Sequence, residues 1–518
     1  MHRILPPTRR WPLHSIASTR RIEEAAAGSL TAHSLMRRAG EAVERLTMAV
    51  APHAHRIWIA AGPGNNGGDG LEAAARLHAA GKQVLVTWLG AAEGDRRAPV
   101  DALDAHQRAV EAGVQIIDHV PFASQTFDIA IDALLGIGAT RAPSGPIAES
   151  VAFLNSSACR VVLAIDLPSG LDADTGRKLG ESCVRAHHTL TLLTMKPGLF
   201  TACGRDQAGE VWFDTLEVPE SDAADAWLSG SPTAAAPRMH MQHKGSLGDV
   251  AIIGGAAGMA GAALLAARAA HAAGAGRVFV EWLQISDAES FGVDEMHPEL
   301  MMRRDWSQSG PSVLAKATVV CGCGGGDAVR NRLPRLLSLA GRLVLDADAL
   351  NALATDPQLM TLLRSRSHRS LASVLTPHPL EAARLLGCDT ASVQADRLAA
   401  ARALTDLARC AVVLKGSGSI IAAPGRTPQI NGTGNGSLAS GGTGDVLAGW
   451  IGGLWAQEAR SGDNDEPGTA FATASQAVAD HGAAAEPLRP GALPASELIQ
   501  HLHYNLRHGR PASCPPRG

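Results

Sequence analysis

A second cysteine pair, blocks of basic charge and long apolar runs are all missing from this sequence. Its eight cysteines (Cys159, Cys183, Cys203, Cys321, Cys323, Cys388, Cys410 and Cys514) are scattered singly apart from the Cys321-Gly-Cys323 pair, and no second pair completes a zinc site. They read as structural thiols of a reducing compartment. The formal net charge is −4, with neither a basic block nor basic and aromatic residues interleaved, so nucleic acid is excluded as a main partner. No stretch of 18 uninterrupted apolar residues occurs, and the opening MHRILPPTRRWPLH lacks both a long apolar core and a small-residue cleavage site. A cytoplasmic protein with no membrane partner is expected.

What is present is a rhythm. From Ile57 onward short apolar runs alternate with alanine-rich helical stretches: IWIAAG, LEAAARLHAAG, VLVTWLG, then DIAIDALLG and VVLAIDLPSG. Continuous β-branched runs of this kind read as parallel strands covered on both faces by helices. The rhythm breaks over PESDAADAWLSGSPTAAAPRM and restarts with DVAIIGG, RVFVEW, ATVVCG, RLVLDADAL, SVLTPHP and AVVLKGSGSIIAA. A chain of 518 residues exceeds a single core. Two α/β domains are therefore predicted, over 1–218 and 241–504, with a linker at 219–240 and a disordered tail at 505–518.

The first chemical signal is AGPGNNGGDG, residues 61–70, between a predicted strand and a predicted helix. Gly62, Gly64 and Gly67 formally satisfy G-x-G-x-x-G, but the following strand VLVTWLG ends without the acidic residue that would hold a ribose, so hydride transfer is discounted. The loop instead offers backbone donors and the side chains of Asn65, Asn66 and Asp69; a plain glycine turn is the alternative. Asp132 and Asp166 end two further apolar runs, and the carboxyl ends of parallel strands converge on one crevice. Buried carboxylates there need a cation or a catalytic task, unless both aspartates merely cap helices.

NNGGDG, DALLGIG and IDLPSGLDADTG together resemble the NAD(P)H-hydrate epimerase domain, a Rossmann-like αβα sandwich, over most of residues 14–217. The resemblance implies potassium held by Asn66, Asp132 and Ser169. It implies hydrated dinucleotide (NADHX or NADPHX) bound by Asn65, Asn66, Gly67, Gly68 and Asp69 and by Gly136, Ile137, Gly138, Ala139, Thr140, Arg141 and Ala142. Asp166 is placed at the reacting carbon, where it can move a proton.

In the second half, NGTGNGSLASGGTGDVLAG places Gly441, Gly442 and Gly444 before an apolar helix that starts near Asp445. Backbone N–H groups at such a start form an anion hole suited to a phosphate in transfer, and Asp445 in the first turn can accept the proton of an attacking hydroxyl. A capping aspartate in a flexible glycine loop is the alternative. GGTGD resembles the anion-hole motif of ribokinase-like proteins. With HKGSLG, GGAAGMAGAALLAARAA, LDADALNAL, TPHPLEAARLLG and LKGSGSII, the half resembles the nucleotide-dependent NAD(P)H-hydrate dehydratases over almost all of residues 240–500.

By that resemblance Lys415, Gly416, Ser417, Gly418, Ser419 and Gly444 contact ADP, while Ala262, Gly324 or Gly325, and His378 line the hydrated dinucleotide. Asp445 is the base, and Mg2+ is expected from phosphoryl transfer in general. The whole chain then epimerises the R and S hydrates and dehydrates the S form with ADP, giving AMP and phosphate; a homo-oligomer is expected. The competing expectation is a ribokinase-like kinase for a vitamin precursor, fused to a non-catalytic binding domain.

Overall fold

The computed structural model describes all residues except 91–97, 221–222, 231–237, 284–291, 459–465, 487–490 and 510–518. The chain divides into two compact units, Met1–Leu5 with Trp11–Trp227, and Pro6–Arg10 with Leu228–Gly518. Among the described residues no helix is long and apolar enough to cross a membrane.

The first unit is built on an eight-stranded sheet. Its order is His2–Arg3, Glu210–Asp214, His188–Leu192, Val162–Ile165, Ile129–Ala133, Arg56–Ala61, Gln83–Trp88 and Gln115–Ile117. All neighbours are parallel except the first pair. The unbroken apolar run of Arg56–Ala61 follows from burial on both faces: Ile57 and Ile59 enter one core with Ile129 and Ile131, while Trp58 and Ala60 enter another with Val151, Leu154 and Val162.

The second unit repeats the principle with a different order: Met301–Met302, Arg277–Trp282, Asp249–Gly254, Thr318–Cys321, Arg342–Leu345, Ala372–Leu375 and Ala411–Leu414, all parallel. Two antiparallel strands, Ile420–Ala422 and Gln429–Asn431, extend it. Helices Ala260–Ala272 and Thr443–Gln457 pack closely because small residues face each other: a Cβ on Gly449 would lie 2.0 Å from the Ala266 carbonyl oxygen.

Two expected boundaries are corrected. The segment 219–240, predicted as a linker, contains the strand Ala226–Ser229, which joins the second sheet beside Gln429–Asn431. Its alternating signal is short, but Ala226 and Leu228 are fully buried, and that burial outweighs the polar, proline-rich surroundings. At the other end, the helix Ala495–His508 runs past residue 504 because Leu498, Ile499 and Leu502 bury one face of it, and Gly509 at φ 72° ends it. The rest of the predicted tail, residues 510–518, lies outside the described residues.

Candidate active sites

In the first unit the strand order reverses at Arg56–Ala61, whose neighbours Gln83–Trp88 and Ile129–Ala133 are reached by connections leaving in opposite directions. A crevice beyond the carboxyl ends is the consequence. A cavity of ≈ 600 Å³ occupies this place, lined among others by Asn65, Asn66, Asp69, Gly136, Ile137, Gly138, Ala139 and Asp166.

The helix Asn65–Ala79 starts at the cavity, its first-turn N–H groups unsatisfied by the helix itself. Gly67 and Gly68 are not among the lining residues. A Cβ on Gly67 would stand 1.9 Å from the Gly62 carbonyl oxygen, and one on Gly68 would stand 2.5 Å from Met36, so both glycines serve close packing of the helix start. Thr140, Arg141 and Ala142 are exposed and also stand outside the lining.

Asp132 is fully buried at the end of its strand. It accepts hydrogen bonds from the Leu134 N–H at 3.2 Å, the Ser169 N–H at 2.7 Å and the Ser169 hydroxyl at 2.6 Å. Burial pushes its carboxyl up to about 6, and those three donors restrain the rise. Ser169 Oγ also accepts from the Leu135 N–H at 2.9 Å, and Asn66 Nδ2 donates to the Leu135 carbonyl at 3.0 Å. Asn66, Asp132 and Ser169 are thus gathered at one turn. Asn66 Oδ1 is buried without a hydrogen-bond partner among the described residues. An orphaned amide oxygen at the turn that also binds a buried carboxylate and a serine hydroxyl is an oxygen donor set that fits a hard cation.

Asp166 is held at φ 67°, a left-handed conformation that costs a non-glycine residue about 1–3 kcal/mol and clusters at functional sites. Its N–H donates to the Leu190 carbonyl at 2.7 Å, and its Oδ1 accepts from the Leu192 N–H at 3.2 Å and from the ammonium of Lys196. Lys196 was not legible as a site residue, although a lysine following an apolar strand in TLLTMKPG is a usable signal. Also missed were Arg20 and Glu23 on the helix Ile16–Ala27, because nothing in a surface-like amphipathic helix indicates that it closes over a crevice. Burial, and next the Asp166 charge, raise both Glu23 and Asp69, Asp69 strongly.

The second unit's order reverses between Asp249–Gly254 and Thr318–Cys321. Here Ala256 N–H donates to the Gly324 carbonyl at 2.6 Å, and a Cβ on Gly324 would lie 2.9 Å from that of Ala262. Gly324, at φ 57°, therefore adjoins Ala262, whereas Gly325 backs onto Val329.

Asp445 stands in the first turn of Thr443–Gln457, capped by Gly442 at φ 88°. Oxygen atoms of Asp445 and Asp346 and the sulfur of Cys323 lie within 4.8 Å of one another. Burial, then the Asp346 charge, push Asp445 up to about 7, against the Cys323 thiol and Lys415, which lower it. Lys415 donates to Asp346 Oδ1 at 2.7 Å and lies 4.0 Å from Glu381. Burial alone would lower its pKa, but those two carboxylates raise it.

Gly444 faces the same lysine: a Cβ there would lie 3.4 Å from Nζ. Of the remaining loop, Gly416 and Ser417 are exposed, Gly418 is buried at φ 61°, and Ser419 Oγ donates to the Gly416 carbonyl at 3.1 Å. His378 caps the helix Pro379–Leu386 and pairs with Glu381 at 3.0 Å, which joins it to Lys415. Behind the helix start, His481 is buried against the Thr443 carbonyl at 2.9 Å and pushed down to about 4 by that burial, so a neutral ring braces the turn. Asp346, Glu381 and Cys323 were not foreseen as site residues; only LDADAL carried a hint.

Comparisons with known proteins agree in both halves. The family model described as NAD(P)H-hydrate dehydratase matches residues 250–503, and that described as YjeF-related protein N-terminus matches residues 32–198. The bifunctional NAD(P)H-hydrate repair enzyme Nnr of Escherichia coli (strain K12) is 37% identical, covering 83% of this chain and 82% of its own. Its counterpart in Moorella thermoacetica is 34% identical with 88% of each chain covered, and that of Leishmania braziliensis is 32% identical over 95% of this chain and 92% of its own. Among solved structures, the ADP/ATP-dependent NAD(P)H-hydrate dehydratase of Bacillus subtilis co-crystallised with ATP and Mg2+ is 28% identical, covers 52% of this chain and 92% of that chain, and gives a TM-score of 0.40. With relatives above 30% identity aligned over most of both chains, this chain belongs to the family of bifunctional NAD(P)H-hydrate repair enzymes.

Proposed function

We propose that the first site epimerises the C6 hydroxyl of NADHX and NADPHX, and that the second dehydrates the S epimer with ADP, releasing AMP and phosphate. The reading is carried by one observation made twice: each sheet reverses its strand order, and at the reversal stands an aspartate in the field of a lysine, Asp166 bonded to Lys196 and Asp445 close to Asp346 and its partner Lys415.

At the first site the ring nitrogen can help expel the C6 hydroxyl, leaving an iminium-like centre that water re-enters from the other face. Asp166 takes and returns the proton, and its charge stabilises the cation. Asn65, Asn66, Asp69 and Gly136–Ala139 bind the dinucleotide, with Gly67, Gly68 and Thr140–Ala142 shaping the two loops around it. Asn66, Asp132 and Ser169 would hold K+, a fit supported by the orphaned Asn66 Oδ1. A cation held there would supply a fixed positive charge to the site.

At the second site Asp445 accepts the proton of the C6 hydroxyl as that oxygen attacks the terminal phosphoryl group of ADP. The N–H groups at Gly444 and the Lys415 ammonium stabilise the charge in transfer, and the phosphorylated oxygen is then a good leaving group. Departure of phosphate with loss of a C5 proton restores the dihydronicotinamide. Gly416, Ser417, Gly418 and Ser419 complete the ADP site. Ala262, Gly324 and His378 line the hydrate site, and contact with Ala262 favours Gly324 over Gly325. Mg2+ would be held near the Asp346 and Asp445 carboxylates and would supply positive charge to offset that of the phosphates. The free thiols of both units fit a reducing cytoplasm.

The test supplies purified protein with both hydrate epimers and either ADP or ATP, and follows the return of near-ultraviolet dihydronicotinamide absorbance. Complete recovery supports both activities and identifies the nucleotide. Recovery that stalls at one epimer removes the epimerase, and a stable phosphorylated product without free phosphate would mean a small-molecule kinase. Light scattering on the same preparation checks the expected homo-oligomer.

A further inference from the structure

We propose that Lys196 is a positioning residue of the first site, anchoring one oxygen of the Asp166 carboxylate and so fixing the direction of the other into the cavity; this rests on the epimerase reading above. Lys196 is 1% exposed. Its ammonium contacts Asp166 Oδ1, the Leu192 carbonyl at 2.8 Å and the Thr191 hydroxyl at 3.4 Å. Those three acceptors use all three of its N–H bonds, so none is left for a substrate. Lys196 therefore acts through Asp166 and not on the reacting carbon.

On Asp166, Oδ1 accepts from the Lys196 ammonium, the Leu192 N–H at 3.2 Å and the Thr191 hydroxyl at 3.5 Å. Oδ2 is the oxygen without a protein partner among the described residues, and it belongs to a residue that lines the cavity. Anchoring one oxygen three times while freeing the other is what a base needs in order to meet a hydroxyl in one orientation.

The surroundings make the ammonium necessary. Glu23 and Arg20 face the site from the helix Ile16–Ala27, Asp69 from Asn65–Ala79, and Asp101 lines the same cavity. His14 feels both Lys196 and Asp225 from the segment before the first helix. Lys196 alone among these cations contacts Asp166. Without it, Asp166 would keep no contact to a cation while sharing the cavity with Glu23, Asp69 and Asp101.

A stability role alone is a poor account of the pair, because a buried ion pair commonly contributes no more than apolar packing of the same volume.

The test compares wild type, Lys196→Met and Lys196→Arg in the full chain, measuring conversion of pure R hydrate to S by chromatography over a range of pH. K196M is expected to lower kcat for epimerisation about 100-fold, the scale of a lost general base. Its KM should stay near the wild-type value, and the acid limb of the pH–rate profile should move to higher pH. K196R, which keeps the charge, is expected to hold the acid limb in place and recover part of kcat.

A K196M protein whose activity falls only with its folded fraction, the acid limb unmoved, would overturn the inference. If K196M does not fold, K196R decides alone: an acid limb displaced upward despite the retained cation overturns it. A wild-type chain that does not epimerise overturns the reading of the site, and this inference with it; a wild-type chain that epimerises, with K196M unchanged, overturns the inference only.

Discussion

Asp445 offers the sharpest test of the second site. With its carboxyl pushed up to about 7, only about one molecule in eleven carries the ionised base at pH 6, and about ten in eleven carry it at pH 8. Dehydration measured as kcat/KM for the S hydrate at saturating ADP is therefore expected to rise about tenfold across that interval. Phosphate groups of the nucleotide titrate nearby, so the rise alone does not identify the group. Asp346→Asn separates the two causes. It removes the charge that, after burial, does most to raise Asp445, and it releases Lys415 from its 2.7 Å bond to act on Asp445 instead. Both changes favour the ionised base, so the limb must move to lower pH, whereas a nucleotide titration would stay put. Asp445→Asn is expected to cost about 10²–10⁴ in rate while leaving epimerisation untouched. A limb that ignores Asp346→Asn would refute the assignment.

Three further outcomes follow from the packing and the cation site. Asn66→Ala removes the orphaned buried oxygen and is expected to abolish any acceleration of epimerisation by K+ over choline, seen as a flat salt titration. Gly449→Ala gains about 1 kcal/mol of helix propensity but sets a Cβ 2.0 Å from a backbone carbonyl that no rotamer can relieve; a net loss of about 1–3 kcal/mol should lower the melting temperature of the dehydratase unit. Asp480 is raised by burial to about 7 from an ordinary 3.8, so its favourable contribution is complete below 3.8 and lost as pH rises through about 7. Asp480→Asn should accordingly stabilise the chain at pH 8 and not at pH 4, in thermal melts at both; equal effects at the two would exclude the mechanism.

Legibility differed between kinds of residue. Asn66, Asp132 and Asp166 stood out because each ends or follows an apolar strand, where a polar side chain is out of keeping with its neighbours, whereas Ser169 came from the family resemblance alone. The parallel topology then brings strand ends together whatever their separation in sequence. Gly444 and Asp445 were legible for the related reason that a glycine run before an apolar helix makes an anion hole. Glu23 and Arg20 were not, since a charged residue on an amphipathic helix reads as solvated until its packing is known. Gly67 and Gly68 mislead in the opposite direction: a glycine brought close to a ligand and a glycine brought close to a carbonyl look alike in sequence, and here the carbonyl of Gly62 and the side chain of Met36 occupy the space. The strand Ala226–Ser229 was hidden because four residues are too few to establish a period.

The two lysines stand differently towards the aspartates of their sites. Lys196 bonds directly to the carboxylate of Asp166, the proposed base of the first site. Lys415 bonds to Asp346, and only the remainder of its field reaches Asp445, where burial and the Asp346 charge prevail. The first arrangement suits a site where one carboxylate must meet both a departing hydroxide and an arriving water, with a cationic carbon between them. The second suits a base that must take a proton near neutrality and stand beside a phosphoryl group without repelling it. Exchanging the arrangement, by Asp346→Leu with Lys415 left free to pair with Asp445, should therefore yield a dehydratase whose acid limb is lowered but whose rate on its plateau is reduced, because a more strongly paired carboxylate is a weaker base. An unchanged plateau would mean that the proton is not in flight in the rate-limiting step.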